Sequence, residues 1–212
     1  ISPFGFAVKS ASKLGYSTTE FMKFYREAIA YLIELNLQGV RLEETYASLL
    51  LTRILTPFPT SYVDLQSPAA AGRNVLVYNY DGGVYVSDEA RMLAEMGDDR
   101  FRMGDVNQEL ARLQKSPAMQ IINNHGVAEE LSGCCDCAFV PYCGADPVFH
   151  VATQGDPEGD RTTSEFCQRQ TAYFELFFDY ISQNDPDIMS VFMSWITRKP
   201  LSDLVSTRQE AG

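Results

Sequence analysis

The stretch Cys134-Cys135-Asp136-Cys137-Ala138-Phe139-Val140-Pro141-Tyr142-Cys143, answered later by Cys167, restricts this chain more than any other feature. With Cys135 set aside it reads Cys-x2-Cys-x5-Cys, followed at a distance by one more Cys. Cys-x2-Cys puts two sulfurs on one tight turn, the longer step through Pro141 swings a third back, and the fourth arrives from another element. Four thiolates placed in this way suit a metal ion or an iron–sulfur cluster. Other readings compete. Disulfides are opposed by the odd count of five, by the crowding of all five into a short stretch, and by the lack of a secretory segment. Inert buried cysteines seldom cluster at ligand spacing. Structural zinc is the serious rival, since four thiolates satisfy zinc as readily as iron.

Cys167 adds support for a metal without naming it. Ser164-Glu165-Phe166-Cys167 opens an apolar-periodic stretch, so Ser164 is a candidate N-cap and Cys167 falls in the first helical turn. There the helix dipole favours a thiolate and the negative charge of a cluster.

At 212 residues the chain suffices for one large or two small domains. It has no apolar run long enough to cross a bilayer and no cleavable signal pattern, and it opens at Ile1 without a Met, so the expectation is a soluble, cytoplasmic piece of something longer. Acidic residues outnumber basic ones by 28 to 17, a balance that repels phosphates, and no basic run is present. Neither nucleic acid nor a membrane is expected as a partner.

In chain order, Ile1 to Val8 suits the end of a strand leading into a loop. Ser17-Thr18-Thr19-Glu20 matches a capping box, and Phe21, Phe24, Tyr25, Ala28, Leu32 and Leu35 continue a helical period that should stop between Asn36 and Gly39. Leu42 to Leu55 reads as a second helix with Tyr46, Leu49, Leu50 and Ile54 on its packed face, closed by Pro57 and Pro59. Ser61 to Arg73 has the Pro/Ala/Gly composition of a linker. Val75 to Tyr80 and Val84 to Val86, joined by Asp81-Gly82-Gly83, form a strong hairpin signal. Ser87-Asp88 can cap a short helix from Glu89 to Met96; Asp98 to Val106 reads as loop and Asn107 to Gln114 as another short helix. His125 is most simply a helix-terminus residue. Asp146, His150 and Asp156 fall in an irregular stretch, where turn chemistry and a surface histidine are the plain reading and a proton carrier or backup ligand the functional one. The last helices should run from Glu165 to Ser182 and from Asp187 to Ile196, with a polar tail from Lys199. P-loop, nucleophile-elbow and His-Glu-x-x-His motifs are all missing from the sequence.

A hairpin Tyr80-Asp81-Gly82-Gly83-Val84-Tyr85-Val86-Ser87-Asp88, a gap, Cys-x2-Cys-x5-Cys and a final helical Cys resembles the SPASM region that follows the catalytic barrel in many radical S-adenosylmethionine enzymes acting on peptides and proteins. In that family two auxiliary [4Fe-4S] clusters are held by Cys, a gap, Gly-x4-Cys, a longer gap, Cys-x2-Cys-x5-Cys-x3-Cys, and a last Cys. Here the Gly-x4 step from Gly82 lands on Ser87, the x3 step from Cys143 lands on Pro147, and Ser67 to Arg73 contains no Cys. The missing positions all belong to the first cluster. Cys134, Cys137, Cys143 and Cys167 match the set that ligates the second, and Cys135 is left a spectator, since using it in place of Cys134 leaves the tighter Cys-x1-Cys.

The segments Ser2-Pro3-Phe4-Gly5-Phe6-Ala7, Asp64-Leu65-Gln66-Ser67-Pro68, Tyr78-Asn79-Tyr80-Asp81-Gly82, Ser87 to Glu95 and Tyr142-Cys143-Gly144-Ala145-Asp146-Pro147 are most similar to the radical maturase of the His-Xaa-Ser peptide-modification system. The resemblance implies an α+β chain: residues 1–60 as the end of a partial (β/α) barrel, 61–131 as linker, hairpin and short helices of the SPASM-like region, 132–198 as the Cys-rich knuckle with C-terminal helices, and 199–212 as tail. It implies one [4Fe-4S] cluster, with zinc as a substitute, that accepts an electron, anchors the peptide or braces the fold. A peptide or protein substrate and an N-terminal radical core are the implied partners. The Cys-x3-Cys-x2-Cys that binds the catalytic cluster and S-adenosylmethionine is not in this sequence, so the chain alone is not expected to generate a radical. The alternative is a non-catalytic peptide-recognition module stabilised by a structural zinc site of four cysteines.

Overall fold

A computed structural model describes residues 16–204, and the expected strand end at 1–8 lies outside the described residues. The described residues divide into two compact units, one of residues 61–167 and the other of residues 16–60 and 168–204. It is helix-rich with one small antiparallel sheet, an α+β content.

The second unit is helical. Helix α1 (Thr18–Leu37) starts at the expected capping box: Ser17 Oγ accepts from the Glu20 N–H at 3.2 Å, and the Glu20 carboxylate accepts from the Ser17 N–H at 2.9 Å. It ends where Asn36, itself buried, donates through Nδ2 to the carbonyls of Leu32 and Leu42, both at 2.8 Å. The packed stripe is Met22, Tyr25, Ile29, Ile33 and Asn36. The expected stripe through Phe24 is therefore out of phase, and Phe24 is 65% exposed. Apolar residues occur nearly all round this helix, so spacing by itself supported two faces, and only the partner surface chose one.

Helix α2 (Thr45–Leu55) begins three residues later than its apolar pattern suggests. Glu44 sets that start: its carboxylate accepts from the N–H groups of Tyr46 at 3.1 Å and Ala47 at 2.6 Å, and also from the Tyr25 hydroxyl at 2.5 Å. Its packed residues are Tyr46, Ala47, Ser48, Leu50 and Leu51, so Leu49 and Ile54 sit at the margin and not on the central stripe. The helices α7 (Glu165–Gln183) and α8 (Pro186–Thr197) complete this unit, with the division between units falling just after Cys167. They supply Tyr173, Phe174, Phe177, Val191, Phe192 and Trp195 to its core.

In the other unit, β1 (Val77–Tyr78) and β2 (Gly83–Tyr85) form the expected hairpin, paired Val77 to Tyr85 and Tyr78 to Val84. Gly82 holds φ at +85°, and the Gly83 N–H is held by the Asp81 carboxylate at 2.8 Å, which closes the turn. A third strand, β3 (Arg102–Asp105), pairs with β2 where a loop was expected. Arg-Met-Gly-Asp has neither alternation nor strand propensity, and the pairing is bulged between Val84 and Tyr85. Long-range pairing made this strand.

Around the sheet lie α3 (Asp88–Glu95, capped by Ser87), the single turn α4 (Leu110–Leu113), α5 (Pro117–His125) and α6 (Pro147–Gln154). Val84, Val86, Ala90, Phe101, Met119, Ile122 and Val148 form their shared core. His125 ends α5 as expected. Ala69, Ala70 and Ala71 are buried, so the small residues of the Pro/Ala/Gly stretch serve close packing here. No described helix is long and apolar enough to cross a membrane.

Candidate metal centre

The cysteine knuckle is built from successive tight turns. The N–H groups of Cys134 and Cys135 both bond the Leu131 carbonyl at 3.1 Å, Cys137 bonds Cys134 at 2.9 Å, Val140 bonds Cys137 at 3.1 Å, and Cys143 bonds Phe139 at 3.0 Å. Gly133 permits the entry by adopting φ of +78°. A small apolar cluster of Ala128, Leu131 and Ala145 lies beneath it, with Cys134 and Val140 packed against that cluster. Cys143 is followed by Gly144, whose missing side chain lets the backbone press against the segment from Asp64 to Gln66.

Cys167 lies in the first turn of α7. Its N–H lies 3.5 Å from the Ser164 hydroxyl, in keeping with Ser164 as the cap. Cys134, Cys137, Cys143 and Cys167 are all partly buried, whereas Cys135 is exposed, its sulfur 3.7 Å from the Asp136 carboxylate. No disulfide joins any of the five.

The thiols sense one another. Burial pushes the Cys143 thiol up to about 12; an interaction with the Gly144 backbone opposes this, and the charges of Cys134, Cys167 and Cys137 add to the rise. Cys134 is raised by burial as well, with Arg161 acting against the shift and Cys167, Cys137 and Cys135 adding to it. The structure thus brings the four expected thiols into electrostatic reach, with Cys135 outside the set that acts on Cys143. Among the described residues, however, no group of three or more His, Cys, Asp or Glu side chains is arranged tightly enough to hold a metal ion.

What sequence reasoning missed lies next to the knuckle. The stretch from Asp146 is a helix, α6, where irregular chain was expected. Asp146 caps it by accepting from the Phe149 N–H at 2.9 Å, Pro147 occupies its first turn, and Gly155 closes it with φ of +80°. Asp-Pro at the start and Gly at the end were legible start and stop signals. The reading of His150 as a surface residue is also overturned: it is 0% exposed, stacked edge-on against Phe149 and Phe166.

His150 Nδ1 lies 2.7 Å from the Asp146 carbonyl, which can only accept, so Nδ1 carries the hydrogen. Nε2 is then the acceptor for Arg161 Nη1 at 3.2 Å. Burial, and next the Arg161 guanidinium, push the His150 pKa down to about 4. On acidification the unfolded chain takes up this proton first, so this residue's contribution rises with pH between about 4 and the ordinary 6.5. Over the same window Asp146, raised by burial to about 6, contributes with the opposite sign. The difference in unfolding free energy between the native chain and His150→Gln isolates the histidine. Followed by urea titration, it should grow with pH by up to about 3 kcal/mol across this range. A pH-independent difference would remove the charge argument.

No family model and no curated protein matches the chain. Solved structures do. Native anSMEcpe with bound AdoMet is 19% identical with a TM-score of 0.60, over 84% of this chain and 44% of that one. The polyhistidine-tagged form with bound AdoMet gives 18% and 0.58, over 84% of this chain and 44% of that one. The native form with bound AdoMet and Kp18Cys peptide gives 17% and 0.54, over 85% of this chain and 44% of that one. The chain spans less than half of those proteins, and at these identities the likeness is one of fold. It therefore shares its fold with part of an anaerobic sulfatase-maturating enzyme, which is a radical SAM/SPASM enzyme.

Proposed function

We propose that this chain is the end of the partial barrel together with the SPASM-like region of a radical S-adenosylmethionine enzyme that modifies a ribosomally made peptide or protein, similar in kind to the maturase of the His-Xaa-Ser system. One auxiliary [4Fe-4S] cluster is assigned to Cys134, Cys137, Cys143 and Cys167. What supports this reading is that Cys134, Cys167 and Cys137 all act electrostatically on the Cys143 thiol, in a fold shared with part of a radical SAM/SPASM enzyme. The donor set fits: four thiolates are the ligands such a cluster takes. Bound there, the group supplies a one-electron redox centre. This chain's own residues hold it, shield it and leave Cys135 in solvent.

Peptide substrate and S-adenosylmethionine come to this reading from the solved structure that carries AdoMet with the Kp18Cys peptide. Cleavage of S-adenosylmethionine is assigned to a Cys-x3-Cys-x2-Cys core outside these 212 residues. The chain's net charge of −11 suits a substrate with basic residues better than an acidic one.

Anaerobic reconstitution with iron and sulfide tests the ligand set. Native protein and Cys135→Ser should take up close to four irons with the broad visible absorption of a cubane, while Cys143→Ser and Cys134→Ser should lose most of it. Full loading of Cys134→Ser would refute the assignment. Tight stoichiometric zinc with no cluster formed under anaerobic iron and sulfide would favour the structural zinc module.

A further inference from the structure

Arg161 is a buried cation with one edge of its donors unused. It is 3% exposed, and its Cβ lies beside the entry to the knuckle: a Cβ placed on Gly133 would sit 3.5 Å from the Arg161 Cβ. Nη1 donates to His150 Nε2 at 3.2 Å. Nε and Nη2, which form the side-on edge of the guanidinium fork, are buried without a hydrogen-bond partner. The loop that delivers Arg161 is held firmly. Gln154 accepts from the Asp160 N–H at 2.6 Å and donates to the Asp160 carbonyl at 3.1 Å, and Gly159 is packed so closely on His150 that a Cβ there would come within 2.7 Å of the ring.

Leaving two donors of a buried cation unpaired is unfavourable, because each has given up water without gaining a partner. Ionised, Cys134 would act most strongly on this guanidinium, followed by Asp146, Cys167 and Cys143. Three of the four are the proposed ligands. A [4Fe-4S] core of charge 2+ with four thiolates carries a net charge of 2−, which becomes 3− on one-electron reduction. The unpaired edge and the buried anion therefore relieve each other's cost.

We propose that Arg161 is the built-in counter-charge of the auxiliary site, its Nε and Nη2 edge donating to sulfur on the Cys134 side and favouring the reduced state. Arg161 acts as a positioning and tuning residue, and His150 keeps the guanidinium turned by holding Nη1. The inference rests on the ligand assignment above and deepens it. The electron balance is simple: dithionite gives one electron, the cluster goes from 2+ to 1+, and the added negative charge lies beside a cation that cannot move away.

The test is a dithionite redox titration of the anaerobically reconstituted chain, followed by electron paramagnetic resonance, for native protein, Arg161→Gln and Arg161→Lys. Arg161→Gln should be harder to reduce, with at least a tenfold fall in the reduced-to-oxidised ratio at fixed potential, or about 59 mV for one electron. Arg161→Lys keeps the charge and loses the fork, so it should fall between. A second measurement needs no variant: native chain grown with guanidino-15N arginine should show 15N coupling to the reduced cluster. Failure of the native chain to take up iron overturns the ligand assignment and this inference together. A loaded native cluster without 15N coupling, or equal potentials in loaded native and Arg161→Gln protein, overturns this inference alone.

Discussion

Gly144→Ala is expected to destabilise the unit that carries the knuckle by about 3 kcal/mol and to lower iron uptake with it. A Cβ at this position would lie 2.5 Å from the Asp64 carbonyl oxygen, 2.7 Å from the Gln66 nitrogen and 2.9 Å from the Asp64 carbonyl carbon. All three are backbone atoms, so no rotamer change relieves the overlap. The relief must come from shifting either the segment after Leu65, which is itself fully buried, or the chain at Cys143. Moving Cys143 would disturb the proposed ligand set. Gly155→Ala is the control: it has open space around the added methyl and only the strain of φ at +80°, worth about 1 kcal/mol. Urea unfolding followed by circular dichroism, with iron uptake on the same samples, checks both. Native stability in Gly144→Ala would show that this backbone contact is soft.

The helical unit should lose about 3–5 kcal/mol on Phe192→Ala. Its ring is fully buried and meets Phe177 at 5.9 Å, Tyr180 at 5.8 Å and Trp195 at 5.7 Å between centroids, the first two edge-on. Truncation removes the apolar contact and leaves a cavity among aromatic rings that are too stiff to collapse into it. Phe192→Leu keeps most of the volume and should cost about 1.5 kcal/mol or less. The single tryptophan of the chain, Trp195, belongs to this core, so its fluorescence reports the unit directly during denaturant unfolding. Equal midpoints for Phe192→Ala and the native chain would mean that the cluster is less tightly packed than its geometry implies.

Local chemistry was legible wherever a short stretch carries its own instruction. Ser17 with Glu20, Asp81-Gly82-Gly83 and Ser87 each specify a cap or turn through hydrogen bonds made within a few residues, and the structure places each there. The cysteine spacing belongs to the same class, because a turn brings Cys134 and Cys137 together whatever surrounds them. Asp146-Pro147 with Gly155 had the same character and went unread, its helix hidden by the Gly and Asp residues that follow.

Other features were not local. The choice of Tyr25 and Ile29 over Phe24 as the packed face of α1 depended on what the helix packs against. The strand at Arg102–Asp105 exists because β2 offered it an open edge. His150 and Arg161, eleven positions apart, became a buried pair only through a loop pinned by Gln154 and Asp160.

The order of residues by itself determined the caps, the hairpin turn and the sulfur-bearing turns, since these are settled by dihedral preferences and hydrogen bonds between near neighbours. The depth of His150, the burial of Arg161 and the electrostatic influence of Cys167 on the Cys143 thiol were decided only by tertiary structure. Burial and long-range charge are properties of what lies across the fold, and no window of sequence contains them.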